Sequence, residues 1–237
     1  MAGQNKKIAI IIPAYNEESV IKKVIDDLNK ILENERKYIY KVIVVNDGST
    51  DSTEVEIKKT NAYLISHILN SGAGSATATG LSYAQHNNFD YAVTLDADGQ
   101  HLAKDVIRGL DKIIDSNIDL LIGSRLLDST GMSVTKKIGN TGLSMITFLL
   151  FGINVTDSQS GLRLFSKKAL NSLKWRTSGY EFCSEMLWRA KQKNLKIEEY
   201  PIKAVYTEYS INKGQNNWNA INIVKSLIKR RLMEIFE

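Results

Sequence analysis

Apolar residues fall along this chain in two alternating rhythms. Short unbroken β-branched runs, Ile8 to Ile12 and Lys41 to Val45, have the character of strands covered on both faces, as in a parallel sheet. After the first run Val20, Ile21, Val24, Ile25, Leu28, Ile31 and Leu32 recur at helical spacing. Glu17 and Glu18 are expected in that helix's first turn, where the dipole favours carboxylates. Further strands are predicted over Ala62 to Ile68, Tyr91 to Leu95, Asp119 to Ile122 and Lys196 to Lys203. Helices are predicted near Ala103 to Ser116, Thr141 to Phe151, Glu181 to Lys193 and Asn217 to Phe236. Alternation of this kind predicts a doubly wound α/β sheet. The chain divides by this reading into a domain over residues 1–210 and a C-terminal amphipathic helical extension over 211–237.

Composition narrows the class without choosing a ligand. The 237 residues, 43% hydrophobic and 24% charged, suffice for one sizeable core and argue against disorder. A net charge of +5 suits an anionic ligand, nucleic acid or an acidic membrane surface. The lone Cys183 has no disulfide or thiolate partner, fits a reducing compartment and reads as a packing residue. Met1 to Lys7 has no apolar leader. The longest apolar run, Leu143 to Ile153, is shorter than the ~20 residues of a spanning helix. The expectation is a cytoplasmic protein, peripheral at most on the membrane's cytoplasmic face.

Open α/β sheets bind ligands beyond the carboxyl ends of their strands, and here those positions are polar. The strongest signal is Asp96-Ala97-Asp98: two carboxylates one residue apart after a buried strand can face one Mg²⁺ or Mn²⁺ and leave positions for phosphate oxygens. Gln100 adds an oxygen and His101 a nitrogen; a solvated turn with a helix cap is the alternative. A calcium EF-hand is excluded, because Gly99 is misplaced and Ile107 stands where the bidentate glutamate belongs.

The small residues from Asn70 to Gly80 form neither a Walker loop nor Gly-x-Gly-x-x-Gly. They serve either close helix packing or ligand approach, at Gly72 in particular. Asp47 either shapes a turn or accepts from a nucleotide base or ribose. Arg125 and Arg163 are candidates for phosphate contact or for ion pairs. Lys225, Lys229, Arg230 and Arg231 read as a solvated helix face or a membrane-surface patch.

Taken together and in order, these segments resemble the family 2 glycosyltransferases, especially the branch similar to dolichyl-phosphate mannose and glucose synthases. The matches are Ile11 to Glu18, Val44 to Asp51, Asn70 to Gly80, Thr94 to His101, Gly123-Ser124-Arg125, Asp157 to Arg163, Tyr180-Glu181-Phe182 with Glu185, and Tyr206 to Gln215. Each is weak alone; eight in order span almost the whole chain.

The resemblance implies a GT-A fold, a nucleoside-diphosphate sugar donor (UDP, GDP or dTDP) and inversion at the anomeric carbon. By position, Pro13, Tyr15, Glu17 and Asp47 would line the nucleotide pocket, and Asp96, Asp98 and Gln100 the metal site. Arg125 would face the acceptor, and Lys213 the donor diphosphate. The implied acceptor is a polyprenyl phosphate at the membrane surface, met by the Thr141 to Ile153 segment or the C-terminal helix. A hydroxyl of a polysaccharide or glycolipid is the second reading.

A phosphate acceptor is already anionic; a hydroxyl needs a base, for which Glu185, Glu181 and Asp157 are candidates. No nucleic-acid partner is expected, and a homo-oligomer is left open. Two departures stand out. Many relatives carry transmembrane helices after the catalytic domain, and many place a lysine where this chain has Ala73.

Overall fold

The computed structural model describes residues 5–35, 37–203, 205 and 217–236. The strands are β1 (Lys6–Ala14), β2 (Tyr38–Asn46), β3 (Tyr63–Ser66), β4 (Tyr91–Thr94), β5 (Leu120–Ser124), β6 (Arg163–Ser166) and β7 (Ile197–Pro201). They form one sheet in the order β3-β2-β1-β4-β6-β5-β7. The helices are α1 (Ile21–Leu32), α2 (Thr53–Lys58), α3 (Ala73–His86), α4 (Ala103–Asp115), α5 (Val134–Phe151), α6 (Lys167–Ser172), α7 (Phe182–Gln192) and α8 (Asn217–Phe236).

The period-two geometry of β1 divides its isoleucines between two layers. Ile8, Ile10 and Ile12 meet Val24, Ile25 and Leu28 of α1 and Val106, Leu110 and Ile113 of α4. Ala9 and Ile11 face the other layer, where Leu81 and Ala84 of α3, Leu143 of α5, Met186 and Leu187 of α7 and Leu227 of α8 are buried. Both faces of the central strands are therefore covered, the arrangement that unbroken apolar runs predict. The last helix shares this core: Ile223 and Leu227 are 3% and 0% exposed.

Three features differ from the sequence expectation. Strand β6 was not anticipated, and it runs antiparallel to both β4 and β5. Helix α5 begins at Val134, capped by Ser133 Oγ, rather than at Thr141. Helix α1 begins at Ile21, leaving Glu17 and Glu18 in the loop before it. The loop has other bonds to satisfy: Glu17 N donates to Thr53 Oγ1 at 2.7 Å and Glu18 Oε2 accepts from Ser52 N at 2.8 Å.

Candidate active site

The carboxyl ends of β1, β2, β4 and β5 share one rim because those strands run the same way. Antiparallel β6 brings its leading segment, Asp157 to Gly161, to the same rim. Hydrogen bonds join the first two loops. Asn16, held at φ 53°, accepts from Thr50 N at 2.9 Å, and its own N donates to Ser49 Oγ at 3.0 Å. Tyr15 is 41% exposed there, Pro13 is partly exposed, and Glu17 is 8% exposed.

Asp47 is buried and ties the rim to the glycine-rich segment. Its Oδ1 accepts from Ser71 N at 2.9 Å and Oδ2 from Gly72 N at 2.8 Å. His67 Nδ1 lies 2.7 Å from Oδ1, and His67 Nε2 lies 3.0 Å from Thr79 Oγ1. His67 was not singled out in the sequence, where a lone histidine after a short strand carries no pattern. Gly72 sits at φ 94°, and a Cβ there would meet Ser178 O. Gly74 N donates to the same carbonyl at 2.7 Å, and Trp175 Nε1 donates to Gly74 O at 3.1 Å. The small residues at the start of α3 thus serve close packing against the 173–181 segment.

Beyond β4, the Asp98 oxygens accept from Gln100 N at 3.0 Å and Gln100 Nε2 at 2.6 Å. Asp96 Oδ2 lies 3.0 Å from His101 Nε2. Burial and the neighbouring Asp96 charge push the Asp98 carboxyl above its ordinary value. Desolvation by the surrounding chain opposes ionisation of Asp96 too, although its side chain is 47% exposed, and the His101 bond and the Arg125 and Arg163 charges hold its carboxyl low. Two carboxylates that raise one another's cost of ionisation are relieved by a divalent cation between them. Among the described residues no cluster of three or more His, Cys, Asp or Glu side chains could hold a metal. One or two protein carboxylates suffice where substrate phosphates and water supply the other oxygens of a Mg²⁺ or Mn²⁺ ion, and Asp96 and Asp98 are compatible with that mode.

Arg125 grips Asp157 in a fork, Nε to Oδ2 at 2.7 Å and Nη2 to Oδ1 at 2.9 Å, while Arg125 N adds a bond at 3.1 Å. Asp157 is fully buried; burial opposes its charge, but the Arg125 guanidinium and bonds hold the carboxyl below its usual range. In this structure both Asp157 oxygens are engaged by Arg125.

Glu185, a second candidate base, is held in a similar way. It is 0% exposed, and Oε2 accepts from Arg176 N at 3.1 Å and Thr177 N at 2.9 Å. Its Oε1 lies 3.4 Å from both Arg189 Nη2 and Arg230 Nε. Burial pulls its carboxyl upward, but the Thr177 and Arg176 bonds and the Arg230 charge keep it low. It anchors the 173–181 segment to α7 and α8. Glu181 alone of the three candidates is partly exposed.

The expectation for Arg163 is corrected: at 1% exposure it cannot reach a substrate phosphate. It donates instead to Ser160 O at 2.9 Å, Ser158 O at 2.6 Å and Cys183 O at 2.9 Å, shaping the loop before β6. Arg230, read as part of a solvated face, is 7% exposed. Cys183 packs as expected, its thiol pushed up to about 11 by burial. Lys213 and the Tyr206 to Gln215 segment lie outside the described residues.

The early start of α5 adds a cation that the sequence reading missed. Lys136, in its first turn, is partly buried, and burial followed by the Arg125 charge lowers its pKa while Asp98 opposes the shift. Lys136 thus lies within electrostatic reach of both Arg125 and Asp98. A cavity of about 980 Å³ opens at the opposite end of the sheet. Its lysines complete helix ends there: Lys191 Nζ donates to Gly152 O at 2.7 Å after α5, and Lys196 Nζ to Ser116 O at 3.0 Å after α4.

The chain is 42% identical to a UDP-N-acetylglucosamine--dolichyl-phosphate N-acetylglucosaminyltransferase of Methanococcus voltae, covering 98% of this chain and 99% of that one. It is 26% identical to a dolichyl-phosphate beta-glucosyltransferase of Trichomonas vaginalis, covering 83% of this chain and 65% of the other. Among solved structures, glucosyl-3-phosphoglycerate synthase of Mycobacterium tuberculosis, in complex with Mn²⁺, uridine diphosphate and glucosyl-3-phosphoglycerate, superposes with a TM-score of 0.73. That match covers 97% of this chain and 79% of the other at 19% identity, and it establishes the GT-A-like fold. The family model described as "Glycosyl transferase family 2" matches residues 9–174, and the chain belongs to that family.

Proposed function

We propose that this glycosyltransferase moves a sugar, with inversion, from a uridine-diphosphate sugar to a polyprenyl phosphate at a membrane surface. The observation that carries the acceptor assignment is the state of the carboxylates. Asp157 is locked in the Arg125 fork and Glu185 is buried under backbone donors, while Lys136 puts positive charge near Asp98 and Arg125 puts it near Asp96. A site with cations and withdrawn bases suits an acceptor that is already an anion. The Methanococcus voltae relative, named for UDP-N-acetylglucosamine and dolichyl phosphate, supports both donor and acceptor.

Tyr15 and the Asp47 loop would hold the nucleotide, and Asp96, Asp98 and Gln100 a Mg²⁺ or Mn²⁺. When bound, the cation would neutralise charge that develops on the leaving diphosphate. Lys136 and Arg125 would orient the acceptor phosphate so that one oxygen faces the anomeric carbon. The new bond joins that oxygen to the carbon as the bond to the nucleoside diphosphate breaks, and no proton has to leave the acceptor.

Helix α5 supports the membrane half of the reading. Val134, Ile138, Met145 and Leu149 are 71%, 68%, 62% and 69% exposed along one face. Leu143, Ser144, Thr147 and Phe151 are buried on the other. Among the described residues no helix is long and apolar enough to cross a membrane. The interfacial face would instead bring the rim to the lipid.

The test offers labelled UDP-N-acetylglucosamine and Mn²⁺ with either polyprenyl phosphate or the corresponding free polyprenol. Label should enter the phosphate-bearing lipid alone. Transfer to the alcohol at equal rate would favour the hydroxyl reading, with Glu181 as its base.

A further inference from the structure

Asp96 is held on two sides, by Gly161 and by His101, whose ring the sequence offered as a metal ligand but whose Nε2 faces the Asp96 carboxylate. Pairing of β4 with β6 ends with Thr94 beside Arg163, and just beyond the paired residues Asp96 lies against Gly161. Thr94 Oγ1 donates to Gly161 O at 2.9 Å and fixes that backbone. A Cβ at Gly161 would run into Oδ1, Oδ2 and Cγ of Asp96. The backbone of Gly161 is not in the left-handed region, so the position requires the missing side chain rather than an unusual φ. The carboxylate thus rests against bare main chain.

His101 closes the other side. Its side chain is 1% exposed, and its Nε2 lies 3.0 Å from Asp96 Oδ2. Its Nδ1 is buried with no hydrogen-bond partner among the described residues, so Asp96 receives the ring's polar contact. Asp96 itself is about half exposed, at 47% of its side chain. With Oδ2 committed to His101, Oδ1 is the oxygen left for a ligand. Arg163 stiffens the arrangement by holding Ser158 O and Ser160 O just before Gly161.

We infer that Gly161 and His101 are positioning residues that aim Asp96 at the donor's cation. The inference rests on the reading of Asp96 and Asp98 as the cation's carboxylates. A ligand carboxylate fixed in advance loses less freedom on binding, and outer partners of this kind change metal affinity by roughly 10–100-fold when removed.

The experiment measures free Mn²⁺ by electron paramagnetic resonance during titration of the full chain with saturating UDP. It compares wild type, Gly161→Ala, His101→Ala, His101→Gln and Asp98→Asn, with thermal unfolding run in parallel. Gly161→Ala and His101→Ala should each weaken Mn²⁺ binding at least about tenfold. His101→Gln, whose amide can still donate to Asp96, should recover most of that loss. Should Gly161→Ala fail to fold, the two histidine variants decide the matter.

Wild-type affinity in a folded Gly161→Ala, or an equal loss in His101→Ala and His101→Gln, would overturn the inference. Loss of Mn²⁺ binding in Asp98→Asn shows in the same series that the carboxylate reading itself stands. A wild-type chain that binds no Mn²⁺ with UDP would instead remove that reading, and this inference with it.

Discussion

The exposed face of α5 allows a perturbation that separates membrane contact from folding. Replacing Ile138 and Leu149 by glutamate changes two side chains that are 68% and 69% exposed, so the core loses almost nothing. Full burial of such a side chain is worth about 1.5–3 kcal/mol, and two-thirds of that area gives roughly 1–2 kcal/mol for each residue on entering the acyl boundary. The pair therefore accounts for about 2–4 kcal/mol, before adding the cost of placing two carboxylates against lipid. That is a loss of roughly 30- to 1,000-fold in partitioning. Flotation with vesicles of phosphatidylcholine and an anionic phospholipid should show wild type rising with the lipid and the double variant staying at the bottom. The thermal midpoint should stay within about 2 °C of wild type, since surface changes rarely exceed about 0.5 kcal/mol. Equal flotation of the two proteins would refute the assignment of this face to the membrane.

Three further outcomes follow from the site. Asp157→Asn should cost about 3–5 kcal/mol in denaturant unfolding, because Arg125, only 14% exposed, loses its charged partner. The lowered pKa of Asp157 means its stabilisation is present above the unfolded carboxyl value and is lost as pH falls through the lower folded value; the variant should lack that share of the acid limb. Glu185→Gln should destabilise the fold yet keep turnover per folded molecule within about tenfold, whereas loss of a true general base lowers the rate by about 10²–10⁴. Gly80→Ala should destabilise by about 1–3 kcal/mol, read from the same unfolding curves, because the added Cβ would strike Ile11 Cγ2.

What could be read from the sequence follows from what leaves a periodic trace. β1 and β2 announce themselves because strands covered on both faces need unbroken apolar runs, and polar residues at their ends mark the rim. β6 leaves no such trace. It is four residues long and opens on Arg163, whose burial depends on carbonyls from elsewhere in the fold. The first two turns of α5 escaped because Val134 and Ile138 face outward, against the pattern expected of an amphipathic helix on a core. Asp157, Arg163 and Glu185 were legible as important but not as anchors, since a buried ion pair and a catalytic group look alike until partners are known. Gly161 and His67 matter through contacts with Asp96 and Asp47 that only the tertiary structure brings about.

The central claim is transfer from a nucleotide sugar to a lipid phosphate without a protein base, and product stoichiometry tests it most directly. Mass spectrometry should follow the full chain, UDP-N-acetylglucosamine, Mn²⁺ and a polyprenyl phosphate, with Asp98→Asn as control. The account predicts one UDP released for each polyprenyl phosphate monoester converted to a sugar-bearing phosphodiester, and neither change in the control. Release of UDP with free sugar and unchanged lipid, or the same yield from Asp98→Asn, would contradict it.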